Sequence, residues 1–198
     1  MMVISPAALI GSTRGATVIE FALVVPILLL MLIGGLEIGH TMYVRSALIG
    51  SLQKAARDLS LEGANSSTRQ NAIADSVSAT VRQIIPSAQV SLSARSFHDY
   101  RYVALSGEEY NDANHNGRCD NGEAYVDGNR NGTWDIDGSV AGRGGAKDVV
   151  LLEATVRYDR IGPAGLLAGT PKTVLTAKTL IRNQPYDQQA DPPTRLCS

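Results

Sequence analysis

The sequence predicts an α+β protein: a single N-terminal transmembrane helix continuing into an amphipathic stalk, a second helix, and a small antiparallel sheet that carries an acidic insert. Three observations support this. The stretch from Phe21 to Leu36 passes sixteen residues without a charge. Apolar residues then recur at helical spacing as far as Leu59, and beyond Pro86 the pattern changes to alternation. At 44% apolar and 19% charged residues the balance is globular, and a net charge of -1 without any Lys/Arg run excludes a phosphate-tracking stripe and so predicts no nucleic-acid partner.

The first helix, residues 16–39, follows from the charge-free run, which with its flanks Val18 to Ile38 approaches the roughly 20 residues that span a bilayer. A secretory signal has an apolar core of about 7 to 15 residues and small residues at its cleavage site. Here the run is longer and no A-x-A pattern follows before Tyr43, so the helix is expected to stay attached. Pro26 removes one backbone hydrogen bond and loosens or kinks the helix, and Gly35 and Gly39 form a small-xxx-small pair. Glu20, at the head of the run, costs roughly 2.5 to 3.5 kcal/mol on insertion scales unless it reaches water or a partner.

Residues 40–198 are expected outside the bilayer. Val44, Leu48, Leu52, Ala55 and Leu59 lie on one helical face with Arg45, Gln53, Lys54 and Arg57 between them, which extends the helix until Gly63 and Asn65 end it. A second helix starts near Ser67, carries Ile73, Val77, Val81 and Ile84 on one face, and stops at Ile85-Pro86. Strands follow at Val90 to Ala94, Val149 to Tyr158 and Thr173 to Arg182. Laid against the two helical faces, they form a one-layer sheet under helices.

The insert, 107–138, holds eight acids against two bases, a charge of -6, which leaves +5 on the rest of the chain. Aligning Gly107 with Gly122 also aligns Glu108 with Glu123, Tyr110 with Tyr125, Asp112 with Asp127, Asn114 with Asn129, Asn116 with Asn131, Gly117 with Gly132 and Asp120 with Asp135. Oxygen-bearing side chains at positions 1, 3 and 5, a glycine at 6 and a backbone carbonyl at 7 are how a short loop wraps a hard cation. The first copy supplies Asp112, Asn114, Asn116, the carbonyl of Arg118, Asp120 and, at position 12, Glu123. The second supplies Asp127, Asn129, Asn131, the carbonyl of Thr133 and Asp135, but has Gly138 at position 12, so either Asp135 and Asp137 stand in or Glu123 is shared. Both copies resemble the EF-hand-like calcium repeats of bacterial surface proteins, which implies calcium as the cofactor. The same residues also dominate ordinary turns. Two cysteines, Cys119 and Cys197, are too few for a disulfide scaffold and lack zinc-ligand spacing; in an exported chain they either form one bridge or stay as two thiols.

The N-terminal 1–15 forms a short leader with one basic residue, Arg14, ending in Gly15, and the next residues are apolar except for Glu20. This resembles a type IV prepilin cleavage site of the Flp/Tad kind, which implies cutting between Gly15 and Ala16 by a prepilin peptidase. The new amine at Ala16 lies four residues before Glu20, and in pilin-like proteins that glutamate pairs with the amine of an adjacent subunit. The stretch GATVIEFALVVPILLLMLIGGLEIGHTMYVRSAL is similar to the opening of TadE-like minor pilins (pseudopilins), and LTAKTLIRNQPY is similar to their last strand, with Gln184 where an acid is expected. The resemblance implies a pilin-like head, other Tad/Flp pilins and minor pilins and an inner-membrane assembly platform as partners, and a single-pass location in a bacterial inner membrane with the C-terminal domain extracytoplasmic. Charge alone points the other way, since Arg45, Lys54 and Arg57 follow the helix and only Arg14 precedes it.

No catalytic constellation is visible, so no enzyme is expected: His40, His98 and His115 stand in different contexts without a nucleophile motif, and the glycines Gly142 to Gly145 lack the Lys-Ser/Thr of a P-loop and read as a hinge. The resemblance thus implies a pilus assembly component, with a membrane-anchored calcium-binding adhesion or sensor module as the alternative.

Overall fold

A computed structural model describes residues 13–60, 67–105, 107–160, 169–184 and 187–198. Most of the expected leader and the expected helix stop at Gly63 and Asn65 lie outside them. The chain divides into two compact units, Met1–Tyr43 with Arg160–Pro171, and Val44–Asp159 with Lys172–Ser198.

Helix α1, Thr13–Ser60, runs 48 residues, about 70 Å at the α-helical rise. Pro26 lies inside it without ending it. Among the described residues it is the one helix long and apolar enough to cross a membrane. In the first unit most of its apolar side chains stand open, with Phe21 68%, Leu23 70% and Met31 74% exposed, while Val25, Ile33 and Glu37 are half-buried. A helix apolar all round has no core-facing stripe and suits a lipid or protein surround. Mid-helix, Glu37 meets Arg160, Oε1 to Nη1 at 3.5 Å.

In the second unit α1 becomes amphipathic, and Val44, Leu48, Leu52, Ala55 and Leu59 are all buried as their spacing predicts. Helix α2, Ser67–Ile84, adds Ile73, Val77 and Val81 to the same cluster. Both faces cover a four-stranded antiparallel sheet built from β1 (Gln89–Phe97), β3 (Val140–Ala141), β4 (Val149–Asp159) and β5 (Lys172–Arg182), in the order β3-β1-β4-β5. The central β4 faces the helices with Leu152, Ala154, Val156 and Tyr158, an every-second-residue set that the pleat requires. Its register pairs Ala94 with Leu152 and Ala154 with Ala177.

Four elements were not expected. Asp99 caps the short helix α3, Tyr100–Ala104, accepting from the Arg101 N–H at 3.2 Å. The two-residue β3 pairs with β1 at Arg95 and Ser96. A separate two-stranded sheet joins β2 (Ala124–Val126) to β6 (Thr194–Leu196). The expected hinge at Gly142 to Gly145 is instead a pinned turn. The buried Asn183 donates from Nδ2 to the carbonyls of Arg143 and Gly145 at 2.7 and 2.8 Å, and Asp148 accepts from the Gly145 N–H at 2.7 Å. Gly144, at φ +65°, has the Ser96 side chain 2.6 Å from where a Cβ would stand, which only glycine accommodates.

Candidate functional site

Gly15, Ala16 and Glu20 all lie on the first turns of α1 and are exposed. The Gly15–Ala16 bond falls where the first N–H groups of a helix lack intrahelical partners, the part most readily unwound. Ala16 and Glu20 are one turn apart on the same face, about 6 Å along the axis.

The insert is a structural repeat as well as a sequence repeat. The left-handed backbone positions recur fifteen residues apart, at Gly107 and Gly122, His115 and Arg130, and Gly117 and Gly132. The two copies exchange main-chain bonds, Asn111 N–H to Ala124 carbonyl and Val126 N–H to Glu109 carbonyl, both 2.8 Å, around an antiparallel bridge between Tyr110 and Tyr125. Each donor in one copy is the counterpart of the donor in the other, so the copies are related by a local twofold.

In the first loop the Asp112 carboxylate accepts from the N–H groups of Asn116 and Gly117 at 3.1 and 2.8 Å. Asn114 Oδ1 accepts from the Asn116 N–H and Asn116 Oδ1 from the Arg118 N–H. Both amide Nδ2 groups turn toward Asp120 Oδ2, at 2.7 and 2.5 Å, and hold the Asp120 carboxyl below its usual range. Glu123 folds back over the loop, accepting from the N–H of Ala113 on Oε1 at 2.8 Å and of Asp120 on Oε2 at 2.9 Å. A cation at this centre would take the place served by the two amide N–H groups, with the asparagines rotated to present oxygen.

The second loop repeats the pattern: Gly132 N–H to Asp127 Oδ2, Asn131 N–H to Asn129 Oδ1, Thr133 N–H to Asn131 Oδ1, and both asparagine amides to Asp135 Oδ2. Its position-12 carboxylate was expected from Asp135, Asp137 or a shared Glu123, and the structure places none of the three there. Asp137 turns away to Arg95 at 2.9 Å, and hydrogen bonds from Ser139, with Arg95 beside them, hold its carboxyl low. Asp135 is the counterpart of Asp120, and Glu123 serves the first loop. The residue at that place is Glu108, which the sequence reading aligned with Glu123 without giving it a role. Glu108 Oε1 accepts from the Gly128 N–H at 2.8 Å, as Glu123 Oε1 accepts from the Ala113 N–H. Its N–H donates to the Asp135 carbonyl at 3.0 Å, as that of Glu123 does to Asp120.

Glu108 is 3% and Asp127 0% exposed. Burial pushes the Glu108 carboxyl up, against the N–H groups of Asn129 and Gly128 that favour its charge. Around this loop three buried carboxylate oxygens, Glu108 Oε2, Asp127 Oδ1 and Asp135 Oδ1, have no hydrogen-bond partner. Among the described residues no three His, Cys, Asp or Glu side chains form a ready-made metal centre, so a cation would draw these oxygens inward. Arg195 Nε partly neutralises Asp127 at 2.6 Å through Oδ2, which leaves Oδ1 open.

The chain end clamps the insert. Strand β6 pairs with β2, Cys119 and Cys197 are joined in a disulfide, and the Cys197 N–H donates to the Glu123 carbonyl at 2.8 Å. Tyr125 is buried beneath, and Trp134 packs edge-on to Tyr110 while its Nε1 donates to the Glu108 carbonyl at 2.9 Å.

The long apolar helix with its exposed N-terminal half sets the context for comparison with known proteins. Residues 15–57 match the family of TadE-like proteins. That TadE-like stretch covers nearly all of α1 and none of the sheet or the insert. No curated protein and no solved structure matches the chain.

Proposed function

We propose that this chain is a minor pilin or pseudopilin, a structural and assembly component of an Flp/Tad-type pilus. The observation that carries it is the TadE-like match at residues 15–57, on a helix whose N-terminal half is strongly apolar and largely exposed. In this reading prepilin peptidase cuts after Gly15, and the Ala16 amine pairs with Glu20 of a neighbouring subunit, where a charge that is costly alone marks register. The chain sits once through a bacterial inner membrane with its C-terminal part outside and meets other Tad/Flp pilins and the assembly platform there. The role is structural, with no chemistry at a catalytic centre.

The insert, in the same reading, is a calcium-binding module. What supports this is the doubled loop, in which the same side chains hold the same backbone positions twice. Mass spectrometry of the membrane-extracted protein tests the processing: the first residue should be Ala16, and an intact Met1 terminus in cells with an active peptidase sinks it. Glu20→Gln should keep insertion and lose co-purification of partner pilins; unchanged pilus number and partner recovery would remove the pairing.

A further inference from the structure

We propose that Glu108 is the closing carboxylate of the second loop, so that the two repeats exchange glutamates and the insert takes two divalent cations of the calcium class. This rests on the reading of the insert as a calcium module and names the residue that completes its second site. In sequence the second loop is broken, because position 12 is Gly138. In the fold it is not. Glu123, from the second repeat, closes the loop that begins at Asp112; Glu108, from the first repeat, closes the loop that begins at Asp127. The exchange follows from the local twofold.

Two further observations place the Glu108 side chain on this loop. A Cβ built at Gly138 would stand 3.0 Å from Glu108 Cγ and 3.7 Å from its Oε1, so Glu108 fills the volume into which a position-12 side chain would grow. Its second oxygen, Oε2, is buried without a hydrogen-bond partner, as are Asp127 Oδ1 and Asp135 Oδ1 of the same loop. Buried carboxylate oxygens without donors are costly unless a cation shares them. Counted this way, each loop offers three carboxylates, Asp112, Asp120 and Glu123 in one and Asp127, Asp135 and Glu108 in the other, with two asparagines and a main-chain carbonyl each.

The single tryptophan makes the second site separately visible, since Trp134 lies within that loop and bonds the Glu108 carbonyl. The full chain in detergent, titrated calorimetrically with calcium, should bind two ions, and terbium should show emission excited through tryptophan that calcium quenches by competition. Glu108→Gln should bind one calcium and lose the tryptophan-excited emission; Glu123→Gln should bind one and keep it. Glu108→Ala combined with Gly138→Glu should recover the second ion, because the clash at Gly138 is gone and the loop supplies its own carboxylate. A merely structural role for Glu108 predicts no such recovery. Two ions in both the parent and Glu108→Gln, or one ion in both, overturns the assignment while leaving calcium binding standing. No calcium bound by the parent overturns the calcium reading and this inference with it.

Discussion

In the helix–sheet body, Leu48 and Leu52 of α1, Val77 of α2 and Leu152 and Val156 of β4 meet in one apolar cluster, whereas the insert buries Tyr125 beside the carboxylates of Glu108 and Asp127. The body is held by area removed from water, at about 25 cal/mol per Å². The insert is held by short polar contacts, a two-strand clamp and one covalent link. The contrast explains why the two parts should fail under different treatments: cavities for the body, and reduction or chelation for the insert.

The largest expected effect is loss of the clamp. Cys119 and Cys197 are separated by 78 residues, and by the loop-entropy account their bond contributes about 4.5 kcal/mol. Replacing both by serine should raise amide exchange across 107–138 and 194–198 and leave β4 protected. Equal loss of protection in β4 would show that body and insert are one cooperative unit. Next, Leu152→Ala should destabilise by about 3 kcal/mol through lost burial and an unfilled cavity, read as a lower midpoint in denaturant. Its effect should fall on β1, β4 and β5 and spare the disulfide-clamped loops.

Asn183→Ala should cost about 1 to 3 kcal/mol, because the carbonyls of Arg143 and Gly145 lose a buried donor. Thermal unfolding measures it, and an unchanged midpoint would return the turn to the expected hinge. This residue marks the limit of what periodicity can show. The apolar positions of α1, α2 and β4 were legible because burial imposes a period of 3.6 or 2 on the chain itself. Asn183 was visible only as part of a family-like ending; its work is at a turn forty residues away, which no local pattern encodes. The short β2, β3 and β6 were missed for the same reason, since two or three residues carry no period and owe their strand geometry to a distant partner. The repeat was legible, because identical residues at a 15-residue period, such as Asp112 and Asp127 or Gly117 and Gly132, survive in one dimension. Glu108 was aligned but left without a role: the loop pattern runs forward from Asp127 to position 12, and the exchange of glutamates exists only once the copies face each other.

The smallest effect is that of calcium. An ion that binds the native loops alone stabilises by mass action, and with dissociation constants on the order of 0.1 to 1 mM, as in extracellular modules, 1 mM calcium adds about 0.4 to 1.4 kcal/mol per loop. Affinity in that range follows from neutral asparagines at positions 3 and 5 of both loops. Read from sequence, the first loop should dominate and Asp112→Ala should remove most of the calcium-dependent rise in melting temperature. Closure of the second loop by Glu108 changes that expectation, because each loop then has three carboxylates. Asp112→Ala and Asp127→Ala should each remove a comparable share, with the Asp127 share the smaller, since Arg195 already offsets part of that charge. Magnesium, which demands a tighter octahedral shell, should substitute poorly in both. Melting curves of the full chain in detergent, with calcium, magnesium or chelator, measure all three. A shift removed wholly by Asp112→Ala and untouched by Asp127→Ala would restore the one-loop picture, and a midpoint indifferent to millimolar calcium would leave 107–138 as a polar loop held by its clamp alone.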